Sequence, residues 1–188
     1  MTPKELQHKP LLPLAAIMAL SLMLATSILL IQPAMAQAKH GVTIHDLAFD
    51  PQCLCIEKGD TINWTNSDPL IHTLWFVFAE NGSTYLLSDP IPPSESWSYT
   101  FTELQKFKLL YYSFKHLWIT GTIRVYKVLG DVDGDGDVDP FDFAIFRLAY
   151  GSTTGDLNWN EWCDLDGDGD VDPFDFAIFR VNYGKIDP

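Results

Sequence analysis

One stretch of this chain occurs twice, almost letter for letter. Asp131-Val-Asp-Gly-Asp-Gly-Asp-Val-Asp-Pro-Phe-Asp-Phe-Ala-Ile-Phe-Arg147 returns 33 residues later as Asp164-Leu-Asp-Gly-Asp-Gly-Asp-Val-Asp-Pro-Phe-Asp-Phe-Ala-Ile-Phe-Arg180, with Val132 against Leu165 as the one difference. Chance does not produce such a pair, so the segment is a duplication and its two copies share one local structure. Each copy begins with alternating aspartates, Asp131, Asp133 and Asp135 or Asp164, Asp166 and Asp168, with a glycine in sixth place, Gly136 or Gly169. A hard divalent cation such as Ca²⁺ takes six to eight oxygens, and a loop with oxygens at positions one, three, five, seven, nine and twelve supplies them. Asp137 or Asp170 offers its backbone carbonyl at position seven. Asp139 or Asp172 stands at nine, and Asp142 or Asp175 closes the loop at twelve. So many carboxylates in one short loop repel one another without a cation, which couples metal binding to folding.

A helix is predicted after each loop. Asp139 and Asp172 suit its N-cap, and Pro140 and Pro173 suit its first turn. Gly151 and Gly184 mark the stops. Phe143, Ile145, Phe146 and Tyr150, with Phe176, Ile178, Phe179 and Tyr183, supply apolar surface that packs the repeats together. Val138 and Val171, at loop position eight, are expected to pair the two loops. Trp159 and Trp162, in the connector, are expected to pack on the helices.

The unit from about residue 130 resembles a dockerin of the type I kind: two loop–helix segments, each closed by Asp where an ordinary EF-hand has Glu. The resemblance implies two calcium ions and a cohesin-like partner domain on a scaffold or cell surface. In that family, positions ten and eleven help select the partner. Here they are Pro140-Phe141 and Pro173-Phe174, so these four residues are the candidate partner contacts; the alternative for the two phenylalanines is packing inside the module. Near-identity of the copies permits docking in two orientations related by a half turn.

The middle of the chain has a different period. Gly41–Ile44, Leu54–Ile56, Thr61–Trp64, Thr73–Phe78, Trp97–Phe101, Phe107–Tyr112 and Thr122–Tyr126 read as short strands, several alternating apolar and polar residues. Gly59-Asp60, Asn81-Gly82 and Pro92-Pro93 break them. The predicted fold class is therefore mainly β, an antiparallel sandwich followed by a small helical module. The order of motifs, from Asp46 through Lys58-Gly59-Asp60, Trp64 and His72 to Tyr111-Tyr112-Ser113-Phe-Lys-His116-Leu-Trp-Ile119, resembles a cupredoxin. The family's copper loop runs Cys-x-x-His-x-x-Met. This chain keeps His72 and His116 but has Ser113 at the thiolate position and Ile119 at the axial one. A type 1 centre is built on a His₂Cys set with a weak axial ligand. A serine hydroxyl is not the soft charged donor that a thiolate is. Copper is thus not expected as a cofactor; His72 and His116 are either leftover residues hydrogen-bonded to neighbours or a weak two-imidazole site for copper or zinc.

The N-terminal Lys4 and Lys9, the apolar run Leu11–Ile31 and Ala34-Met35-Ala36 read as a signal peptide, or else as a single uncleaved anchor. The expected organisation is a leader over 1–36, a cupredoxin-like domain over 37–128 and a dockerin over 129–188. A formal net charge of −13 argues against nucleic acid as a partner. Cys53, Cys55 and Cys163 are an odd number, so no complete disulfide framework follows. Cys53 and Cys55 flank Leu54, so their thiols are expected to point out of the sandwich. No catalytic constellation appears outside the acidic loops. The chain reads as an exported or cell-surface, non-catalytic attachment component. The alternatives are a copper electron carrier, an accessory part of a polysaccharide-degrading complex, and an acidic module that only stabilises the sandwich.

Overall fold

The computed structural model of the protein describes residues 37–102 and 106–187, so the leader expected over 1–36 lies outside the described residues. Among these residues nine strands come first: β1 Lys39–His45, β2 Ala48–Asp50, β3 Cys53–Glu57, β4 Thr61–Asn66, β5 Leu74–Phe78, β6 Thr84–Leu87, β7 Ser96–Thr100, β8 Phe107–Ser113 and β9 His116–Tyr126. Two helices follow, α1 Pro140–Ala149 and α2 Pro173–Asn182. Among the described residues no helix is long and apolar enough to cross a membrane.

The period-2 pattern places the strands. In β4 Ile62, Trp64 and Asn66 are buried, and in β8 Phe107, Leu109, Tyr111 and Ser113 are, with the intervening residues partly exposed. The strands form two sheets, ordered β2-β1-β4-β7 and β3-β9-β8-β5-β6. All seven predicted strands are present. The added β2 and β6 span only three and four residues, too few for a period to show. Two ladders, β1–β4 and β3–β9, run parallel, so the sandwich expected as antiparallel is mixed at these pairings. Alternation within one strand reports which face is buried but not the direction of its neighbour. The core between the sheets is aromatic: Trp64 lies edge-on to Phe76 at 5.3 Å, and Phe76 stacks on Tyr111 at 5.2 Å. Opposite Tyr111 stands Gly121, where any β-carbon would collide with the Tyr111 ring.

Each helix starts as its sequence dictates. The Asp139 side chain accepts from Phe141 N at 2.6 Å while Asp142 accepts from Asp139 N at 2.8 Å, a reciprocal capping box. Asp172 and Asp175 repeat it at 2.6 and 2.7 Å. Phe146 and Phe179 stack at 5.2 Å in the module's centre. The valines at position eight do not pair with each other. Val138 exchanges backbone bonds with Gly184 and Lys185, after α2, and Val171 with Gly151 and Ser152, after α1. Each loop is thus tied to the tail of the other repeat's helix, a crossover that the repeat pattern itself does not disclose.

Gln37–Pro188 forms one compact unit. Tyr126, Val128 and Cys55 from the sandwich share a core with Val138, Phe146, Cys163, Leu165, Val171 and Phe179. Trp162, expected on the helices, instead meets Tyr126 of β9 at 5.2 Å, while Trp159 does pack on the module's core. Charge reinforces the seam. Lys58 pairs with Asp187 and Lys108 with Glu161, Lys127 donates to Gly134 O at 3.1 Å, and Arg124 pairs with Asp164 at 2.9 Å.

Candidate metal centre

The two acidic loops wrap their backbones around their own carboxylates. In the first, Asp131 Oδ1 accepts from Gly134 N at 2.6 Å, and Asp142 Oδ1 accepts from Val132 N at 2.7 Å and Asp133 N at 3.1 Å. In the second, Asp164 Oδ1 accepts from Gly167 N at 2.8 Å, and Asp175 Oδ1 accepts from Leu165 N at 2.6 Å and Asp166 N at 3.2 Å. Gly136 and Gly169 turn at φ 111° and 101°, a region where a side chain is strained. These bonds fold the loop so that carboxylates converge.

Among the described residues, four triplets each hold their carboxylate oxygens within 4.8 Å: Asp131, Asp133 and Asp142; Asp137, Asp139 and Asp142; Asp164, Asp166 and Asp168; Asp170, Asp172 and Asp175. All the predicted loop aspartates are brought together except Asp135, which belongs to no triplet and accepts from Asp137 N at 3.2 Å. Position seven, expected to act through its carbonyl, also turns a side-chain oxygen inward. Asp137 Oδ1 and Asp170 Oδ1 are shut off from solvent and have no hydrogen-bond partner. An orphaned buried carboxylate oxygen is costly unless a cation or proton reaches it. The electrostatics agree. Burial, then neighbouring carboxylates, raises Asp131, Asp133 and Asp166 above the ordinary carboxylate range, and burial pushes Asp175 up to about 6. A hard cation at each loop fits this donor set and would relieve that crowding.

The loops differ in one respect that their sequences hide. Asp131 Oδ2 accepts from Gly136 N at 3.1 Å, whereas Asp164 Oδ2 accepts from the guanidinium of Arg124 at 2.9 Å. Arg124 is 2% exposed, reaches from β9 and also donates to Glu161 O. Forty residues separate it from the second loop, so no local motif could have flagged it. Cys53 and Cys55 do point out of the sandwich, as expected, but into this seam rather than into solvent. Arg124 Nη2 lies 3.3 Å from Cys53 Sγ, and Cys55 Sγ donates to Asp164 O at 3.4 Å. All three cysteines are free thiols, and Cys163 is buried.

At the opposite end of β9 the two histidines do converge, with ring centroids 5.9 Å apart. His72 is buried; its Nδ1 shares a 2.9 Å hydrogen bond with Ser113 Oγ, and its Nε2 lies 3.2 Å from Asp68 Oδ2, off the line of a hydrogen bond. Burial lowers the His72 pKa. His116 Nδ1 is buried without a partner, and Ile119, buried in the sandwich core, has no donor atom. The set is thus two imidazoles and a hydroxyl.

Phe141 and Phe174 do not pack within the module: they are 71% and 69% exposed, beside Pro140 and Pro173, which are also exposed. Phe143 and Phe176 meet at 6.3 Å between two apolar grooves that end at Arg147 with Tyr150 and at Arg180 with Tyr183.

Residues 129–181 match the family model for the dockerin type I domain. No curated protein matches the chain. Among solved structures, a mutant of amicyanin with Cu(I) is 25% identical, with a TM-score of 0.40 over 46% of this chain and 81% of its own. A reduced Cu(I) form, at pH 4, of another amicyanin mutant is also 25% identical at a TM-score of 0.40, over 49% and 86%.

Proposed function

We propose, from the premise that residues 129–181 are a dockerin type I module joined to a cupredoxin-like sandwich, that this chain is an exported, non-catalytic attachment component folded by two calcium ions. The observation that carries the reading is the doubled loop. Two sets of converging aspartates, each with an oxygen orphaned from solvent and hydrogen bonds, stand at the start of helices that leave Phe141 and Phe174 exposed. Dockerin type I domains in general bind cohesin domains. A cohesin-like domain on a scaffold or cell surface is therefore the partner class, and Pro140, Phe141, Pro173 and Phe174 are the contacts. Any part in polysaccharide breakdown comes through that partner's complex.

The sandwich, in this reading, is no longer a type 1 copper protein. Ser113 supplies a hydroxyl, already bonded to His72, where a thiolate is required, and Ile119 supplies nothing. Added Cu(II) is expected to give no intense visible band. Attachment is tested by pull-down with a cohesin domain: retention in calcium and release by a chelator support it, and retention that ignores calcium overturns it.

A further inference from the structure

The seam between the sandwich and the second loop holds chemistry that attachment does not use. A cleft of roughly 650 Å³ opens there, lined by Gln52, Cys53, Thr122, Asp166, Gly167 and Asp168 among others. Cys53 is half-buried on its wall, with a guanidinium 3.3 Å from its sulfur. A cation beside a reachable thiol is the setting of a reactive cysteine. The other two thiols are placed otherwise: Cys163 is buried in the module's core, and Cys55 donates to Asp164 O. Cys55 is the thiol next to Cys53 and shares a side-chain hydrogen bond with it; two residues apart on a strand, about 6.6 Å between α-carbons, the pair stands at the far limit of disulfide geometry.

We propose that Cys53 is a modification site that takes small-molecule disulfides from this cleft, and that its capping and calcium binding at the second loop oppose each other. In the exchange, the Cys53 thiolate attacks one sulfur of R–S–S–R. A Cys53–S–S–R bond forms, the R–S–S–R bond breaks, and the departing RS⁻ takes a proton from water. Cys53 sulfur is oxidised and the leaving sulfur reduced. The linkage to calcium, which rests on the calcium reading above, follows from packing. Cys53 Sγ and Cys53 O both stand 3.4 Å from the position of a β-carbon at Gly167, so the thiol abuts the turn of the second loop. Arg124 holds both Cys53 Sγ and the first carboxylate of that loop, Asp164. An adduct on Cys53 extends into the cleft past the Gly167 turn on one side and Arg124 on the other, and so presses on both. Linkage is reciprocal, so a calcium-loaded loop resists the adduct as much as the adduct weakens the loop.

The test uses the full chain, reduced, and a chromogenic aromatic disulfide, with the labelled cysteine identified by peptide mass. Cys53 is expected to react at least about tenfold faster than Cys163, and calcium to slow it. The capped protein is expected to keep one calcium equivalent unchanged and to bind the other on the order of tenfold more weakly. Cys53→Ser should abolish the fast labelling and retain two calcium equivalents, which also reports that the variant folds. Label appearing first on Cys55 or Cys163, or a rate and calcium titration that do not respond to each other, overturns the proposal. A reduced chain that takes up no calcium at all overturns the calcium reading itself, and the linkage with it; the labelling order still reads out the thiol site separately.

Discussion

Arg124 makes two nearly identical loops unequal. The Arg124 guanidinium, 2.9 Å from Asp164, opposes a divalent cation at the same carboxylate by up to several kcal/mol at the effective dielectric of a protein, roughly 4 kcal/mol per unit charge at 4 Å. The second loop is thus expected to bind calcium more weakly than the first. Asp142→Ala, which leaves the second loop to report alone, and Asp175→Ala, which leaves the first, should show that order by calorimetry. Adding Arg124→Gln to Asp142→Ala should tighten the surviving site on the order of tenfold; no change would sink the explanation. The carboxylates predict a pH dependence as well. Asp175 has its folded-state pKa raised from 3.8 to about 6, so without calcium the folded state binds more protons than the unfolded chain in that window. Calcium-free stability contributed by Asp175 is therefore fully present below about pH 4 and falls as pH rises toward 6. Calcium needs the ionised form, so the gain in Tm on adding calcium should grow across the same window; a gain that shrinks as pH rises would contradict this. These carboxylates were legible from spacing alone, because a metal loop is local chemistry. Arg124 was not, because its contact depends on how two distant segments pack.

At the level of elements, the two helices stand or fall together. Phe146 and Phe179 fill one shared centre, so Phe146→Ala is expected to cost about 3–5 kcal/mol and to abolish the helical signal of both repeats, read by circular dichroism. Phe141 and Phe174 are the contrast. Lying on the surface, each should change stability by no more than about 0.5 kcal/mol when replaced by Ala. Because the copies are equivalent in sequence, either single substitution should leave partner binding nearly intact, and the double substitution should remove it. Surface plasmon resonance against a cohesin domain would show whether one or both phenylalanines must be lost. The helices, caps and stops were legible because proline, aspartate and glycine act within one turn. The crossover of Val138 and Val171 onto the opposite helix's tail was not, since any buried valine satisfies the same sequence pattern. β2 and β6 were missed for a related reason: they gain their structure from neighbouring strands rather than from their own few residues.

For the molecule as a whole, the boundary drawn in the sequence at residue 128 falls inside a packed core. Tyr126, Val128 and Cys55 are covered by the module, and Lys58, Lys108, Arg124 and Lys127 spend their charge on it. The described unit should therefore melt in one transition that calcium moves upward. A chain ending at residue 128 should melt lower than the full chain even without calcium, because it exposes Tyr126; two separate transitions in calorimetry would refute a shared core. The same seam has a consequence for geometry in space. β9 runs from His116, beside His72, to Tyr126 against the module, roughly 33 Å for its eleven residues. A partner that holds the module would hold this rod at a fixed bearing, because the two share one core. Attachment at one end would thus set where the His72 and His116 end points in space.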